Sequence, residues 1–286
     1  MVAMSAHAYC RSFRVSARRR RATAGRTLCL TVAAVLLLQL ALPGTVPAAA
    51  APSEERNGAP KELLVAAAAD LRFAFGEIGE EFMRETGIRV VYNFGSTGLL
   101  TQQIENGAPF DLFFSADRSY VDRLVERGFG AGAPATYAFG YLALVVPAGE
   151  PVPELGELTD AGYEAVAIAN PAHAPYGRAA REAFESLGIH AALSDRLVYG
   201  ENVMDAMRLV ETGNADAGLV ALAFLGRTEG LAGRRLDTEL HQPLEQTALV
   251  LAEGAHRERA EAFLDFVTGS TGREILKQHE FGLPAL

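Results

Sequence analysis

Beyond residue 50 the sequence has no cysteine, because Cys10 and Cys29 both lie in the first fifty residues. The rest of the chain therefore forms no disulfide and offers no thiol chemistry. The apolar run Leu28–Leu42 is about fifteen residues long, short of the roughly 20 that a membrane-spanning helix needs. Enzyme signatures are missing as well. There is no Gly-x-Ser-x-Gly elbow, no His-Glu-x-x-His, no Cys-x-x-Cys and no Gly-Lys-Ser/Thr phosphate loop. The first fifty residues also contain no acid, and what they do contain is directional.

Seven arginines (Arg11, Arg14, Arg18, Arg19, Arg20, Arg21 and Arg26) precede the apolar run, and "PGTVPAAAAPS" follows it. A basic stretch, a short apolar stretch and an Ala-x-Ala site read as a secretory signal over residues 1–50, cleaved near Ala50, which implies a periplasmic protein. Cys29 sits too early in the run to serve as a lipoprotein cysteine. Residues 51–60, "APSEERNGAP", read as a polar leader. Removing the signal leaves 19 basic against 35 acidic residues, a net charge of −16. That balance argues against nucleic acid or an anionic membrane as a partner.

From Lys61 onward, strand-like and helix-like stretches alternate. "LLVAAAA" (63–69) is an apolar run of strand length. Leu71, Phe75, Ile78 and Phe82 then recur at helical spacing until Gly87. "IRVVYNF" and "DLFFSA" are further strands, each followed by a helix. The pattern restarts after "APATYAFG" with strands 141–146, 165–170, 196–200 and "AGLVALAF", and closes with a strand at 247–253 and two helices. An α/β fold with two lobes is expected, each a mostly parallel sheet flanked by helices. Residues 61–139 plus 245–286 would form one lobe and 140–244 the other, with two hinge crossings near Gly140 and Leu244.

Four turns at strand ends stand out: "AAAADL", "NFGSTGLL", "NPAHAPYG" and "YGENV". Each sits where a helix begins, the place at which open α/β sheets bind ligands and backbone N–H groups hold anions. Each also reads as plain capping, by Asp70 in the first and by Glu201 or Asn202 in the last. Between Asn93 and Asp117 there is no lysine or arginine, so an anion held there would lack a cationic side chain. Five histidines follow the signal: His173, His190, His241, His256 and His279. They lie in polar contexts and read as solvated, with only His173 near the proposed cleft.

"LLVAAAADL", "NFGSTGLLTQQIENGAPFDLFFSAD", "ANPAHAPYG" and "GENVMDAM" resemble, in this order and at similar spacing, the periplasmic molybdate-binding proteins of ABC importers. The resemblance covers residues 61–286, and the "QQIENGAPFDLFFSAD" segment is its most specific part. It implies a type II periplasmic-binding fold that closes on its ligand, a monomer that delivers molybdate or tungstate to a membrane permease, and no cofactor. It places the oxyanion contacts on Asp70, Thr97, Tyr176 and Val203, with Ala69, Ser96 and Ala221 flanking. The alternatives are another tetrahedral oxyanion (phosphate, sulfate or thiosulfate), a cleft enzyme, or a sensor domain that needs a partner receptor. Two positions depart from the family. Ala221 stands where a tyrosine is expected, so the Tyr176 phenol either replaces it or packs exposed on Pro175. Asp70 stands where a serine is expected. Either its carboxylate turns back to cap its own helix, or it accepts a proton-bearing oxygen and favours an ion such as hydrogen phosphate.

Overall fold

A computed structural model describes residues 61–285 of the 286-residue chain; the expected signal and leader lie outside them. The chain forms two five-stranded sheets. The first contains β1 (Lys61–Ala68), β2 (Ile88–Gly95), β3 (Leu112–Ser115) and β4 (Ala135–Gly140). The second contains β5 (Leu142–Pro147), β6 (Val166–Ala169), β7 (Leu197–Gly200), β8 (Ala217–Ala221) and β9 (Leu231–Arg235), after which β10 (Leu244–Val250) rejoins the first. The strand orders are β2-β1-β3-β10-β4 and β7-β6-β8-β5-β9. The chain therefore passes between sheets twice, at Tyr141 and across residues 236–243.

Those passages explain why both sheets are mixed. β1 pairs in parallel with β2 and β3, and β6 with β7 and β8, because helices carry the chain back between them. β10 and β5 arrive instead from the opposite lobe, and each pairs antiparallel with both of its neighbours. The helices flank the sheets. α1 (Arg72–Thr86), α2 (Thr97–Glu105) and α3 (Arg118–Glu126) follow β1, β2 and β3. α4 (Pro175–Ser186), the single turn α5 (His190–Leu193) and α6 (Val203–Glu211) belong to the second lobe, and α7 (Arg257–Thr268) and α8 (Ser270–Gln278) close the first. None of the described helices is long and apolar enough to cross a membrane.

α1 shows how the sequence sets one of these layers. Its buried residues, Ala74, Phe75, Ile78 and Phe82, fall on one face, and the helix stops at Gly87, whose φ of 72° suits a left-handed cap. Phe75 then meets Phe114 of β3 edge-on, with ring centroids 4.7 Å apart, and Phe114 meets Tyr137 of β4 at 5.1 Å. This aromatic stack fixes Tyr137 beneath the carboxyl ends of the strands.

Candidate functional site

The carboxyl ends of the strands in the two sheets face each other across a small cavity. Residues 68–70, 95–97 and 116 line it from the first lobe, and residues 174–176 and 202–203 from the second. Four helical starts point at it: the 3-10 turn Ala69–Leu71 that leads into α1, and the first residues of α2, α4 and α6. Their uncapped N–H groups give the cavity a positive potential without any cation. No lysine, arginine or histidine lines it, and Asp70 is its one ionisable carboxyl.

The first turns of these helices leave donors for the cavity. Ser96 immediately precedes α2 but makes no side-chain cap. Its Oγ instead lies 2.8 Å from Nδ1 of His173 in the other lobe. Thr97 is buried, and its Oγ1 accepts the Ala116 N–H at 3.1 Å, which fixes the rotamer and leaves the hydroxyl proton to donate. At α6, Asn202 takes the cap: its Oδ1 accepts from the N–H groups of Met204 and Asp205, at 2.9 and 3.1 Å. That bonding passes over the Val203 N–H, the first of the helix. At α4, Pro175 occupies the first turn, where its missing N–H costs nothing, and Tyr176 follows.

The Asp70 side chain does not cap its helix; neither the 3-10 turn nor α1 has a side-chain cap. The carboxyl is 1% exposed and reaches across the cleft. Its Oδ2 accepts from Tyr176 Oη at 3.1 Å and from Gln246 Nε2 at 2.5 Å. Gln246 is oriented in turn by Tyr137, whose hydroxyl donates to Oε1 at 2.8 Å and so turns the amide nitrogen toward Asp70. Oδ1 has no protein partner. Burial pushes the carboxyl up to about 6, against the opposing effect of the hydrogen bonds from Gln246 and Tyr176. Burial, and then the Asp70 charge, hold the Tyr176 phenol well above its ordinary range, so it stays a neutral donor.

The cavity thus brings together Ala69, Asp70, Ser96, Thr97, Tyr176 and Val203. Ala221 does not line it. That residue ends β8, fully buried opposite Leu142, and its methyl serves the core. Tyr176 is not an exposed residue packed on Pro175; at 2% exposure its hydroxyl is already committed to Asp70. Gln246 and Tyr137 escaped the sequence reading because they sit inside strands, and only the three-dimensional pairing gives them a partner. The histidines are less solvated than expected. His241 and His279 are buried, His256 lies against Asp111, and the backbone carbonyl of His173 accepts the Gly98 N–H at 2.9 Å. No group of three metal-ligating side chains forms among the described residues.

More contacts span the cleft. Arg178 of α4 forms an ion pair with Asp117 of the first lobe. Phe73 and Phe224 meet edge-on with centroids 5.8 Å apart.

The family model described as bacterial extracellular solute-binding protein matches residues 63–282. The molybdate-binding protein of Rhodobacter capsulatus is 37% identical over 221 residues, which is 77% of this chain and 88% of the relative. That of Azotobacter vinelandii is 36% identical over 227 residues, covering 78% and 90%. The solved periplasmic molybdate-binding protein of Azotobacter vinelandii superposes with a TM-score of 0.73 at 31% identity, over 78% of this chain and all of that one.

Proposed function

The chain belongs to the bacterial extracellular solute-binding proteins, and on that premise we propose that it captures molybdate, with tungstate as an equivalent ligand, and hands it to the permease of an ABC importer. The observation that carries this reading is the cavity itself: helix N-termini and a hydroxyl converge from two lobes on a small space with no cationic side chain. Such donors suit a compact, fully ionised tetrahedral dianion, which they hold by direction and dipole rather than by countercharge. The likeness to two molybdate-binding proteins above 35% identity supports the choice of cargo.

In this reading the ligand contacts are the N–H groups at Asp70, Thr97, Tyr176 and Val203, together with the Thr97 hydroxyl. Ala69 and Ser96 shape the wall. The lobes divide at 61–139 plus 245–286 and at 140–244, and rotation about the two passages closes them around the ion. Closure excludes water, and each neutral hydrogen bond to the charge strengthens. The protein works as a periplasmic monomer after cleavage near Ala50. It needs no cofactor, since molybdate is cargo, and it catalyses no reaction.

Calorimetric titration of the purified mature chain with molybdate, tungstate, sulfate, phosphate and thiosulfate tests the assignment. Molybdate and tungstate should bind with similar affinity. Sulfate should bind far more weakly, because a smaller tetrahedron cannot reach donors on both lobes at once. Tighter binding of phosphate than of molybdate would reassign the cargo to a proton-bearing oxyanion.

A further inference from the structure

An acid in a cavity built for a dianion calls for a physical account. Asp70 lines the site, is buried, and has its two oxygens treated differently. Both side-chain donors, Gln246 Nε2 and Tyr176 Oη, converge on Oδ2. Oδ1 is left without a partner, although a buried carboxylate oxygen with no hydrogen bond is costly. The Tyr137–Gln246–Asp70 chain runs in one direction only. Tyr137 donates to Gln246 Oε1, so the amide nitrogen is left to donate, to Asp70 Oδ2 at 2.5 Å and to Tyr176 Oη at 3.4 Å.

The groups packed around the carboxyl supply no compensating charge. β4 contributes the Tyr137 phenol, α4 the Tyr176 phenol, β10 the Gln246 amide, and α2 and α6 contribute Thr97 and Asn202. The neighbouring Glu245 bonds elsewhere, to Arg118 and Thr136. Arg178 pairs with Asp117, and His173 is held by Ser96. An ionised Asp70 would therefore set an unpartnered negative oxygen close to a bound dianion, with only the helix N-terminal dipoles to offset the repulsion. A proton on Oδ1 turns that repulsion into a hydrogen bond.

Resting on the oxyanion-binding reading above, we propose that Asp70 enters the complex as a carboxylic acid whose Oδ1–H donates to an oxygen of the bound anion, so that each molybdate is captured together with one proton. No bond between heavy atoms forms or breaks. The proton comes from solvent, resides on Oδ1, and is shared with the nearest anion oxygen. The complex gains one negative charge rather than two. The carboxyl is already poised for this, because burial pushes it up to about 6 before any anion arrives. A dianion beside it raises it further. Asp70 also becomes a specificity determinant of an unusual kind. A proton-bearing anion such as hydrogen phosphate brings its own proton and donates it to an ionised Oδ1, whereas molybdate must draw one from solvent.

Titration calorimetry of the wild-type protein in two buffers with different heats of protonation reads the proton directly. At about pH 8, about one proton should be taken up per molybdate bound. Affinity should fall about tenfold per pH unit above the range where free Asp70 titrates. Asp70→Asn, or Asp70→Ser should the first variant fold poorly, should bind molybdate with no proton uptake and with an affinity that is flat over the same range. Two results would overturn the proposal: wild-type binding with no proton exchange and no pH dependence, or a pH dependence that persists in the Asp70 variants. Failure to bind molybdate or tungstate at any pH between about 5 and 8 would instead overturn the functional reading on which the proposal rests.

Discussion

Thr97 does two jobs with one hydroxyl. Its oxygen accepts the Ala116 N–H inside the first lobe, and its proton is free to donate toward the cavity that the residue lines. Thr97→Val keeps the shape and removes both. Losing one donor to a bound charge costs roughly 1.5–3 kcal/mol, so molybdate affinity measured by calorimetry should drop about tenfold or more. The orphaned Ala116 N–H should lower the unfolding midpoint of the same variant as well. At this scale the sequence was a partial guide. The position of Thr97 and Val203 at helix starts beside the cavity was legible, because a helix start next to a strand end announces itself in residue order. That the Asp70 side chain would not cap was not legible, since an acid ahead of a helix looks like a cap whether or not it caps. Its true partners, Tyr176 and Gln246, lie 106 and 176 positions away, and no local pattern records such a pairing.

Elements with strong periodicity were readable from the sequence, and the weaker ones were not. α1 shows its face in Phe75, Ile78 and Phe82, and β1 in an unbroken apolar run. β9, "LAGRR", went unseen because it pairs only with β5, is nowhere fully buried, and ends on two arginines. α5 is one turn, too short to show a period. The antiparallel half of each sheet was hidden for a different reason: strand direction depends on where the chain comes from, not on its composition. Element junctions also carry stability. Asp111, at the start of β3, accepts the Leu64 N–H of β1 at 2.8 Å and the His256 N–H before α7 at 2.9 Å. Asp111→Ala leaves both part-buried donors without a protein partner and should destabilise the fold by about 1–3 kcal/mol in urea unfolding. Ligand affinity should change little in the protein that remains folded.

For the molecule as a whole, one constraint on how closely the two lobes approach is a missing side chain. Gly98 approaches the second lobe so closely that an added Cβ would stand 2.7 Å from the His173 carbonyl oxygen and 3.0 Å from its Cα. Within the first lobe the helical position accepts alanine, which is a better helix former than glycine by about 1 kcal/mol. Gly98→Ala should therefore leave thermal stability equal or higher while weakening molybdate binding by roughly tenfold, the equivalent of 1.4 kcal/mol. Small-angle scattering should show a smaller ligand-induced fall in radius of gyration than in the wild type. Stability and affinity moving in opposite directions would separate closure from folding.

The Asp117–Arg178 pair has a consequence for how long cargo stays aboard. Both side chains keep some solvent exposure, 17% and 32%, and neither lines the cavity. Under the proposed hinge motion the pair would favour the closed arrangement without telling one anion from another, and dissolved salt would screen it. On the proposed hinge reading, the neutral bonds within the site would choose the ion, and this partly exposed pair outside it would influence only the residence time.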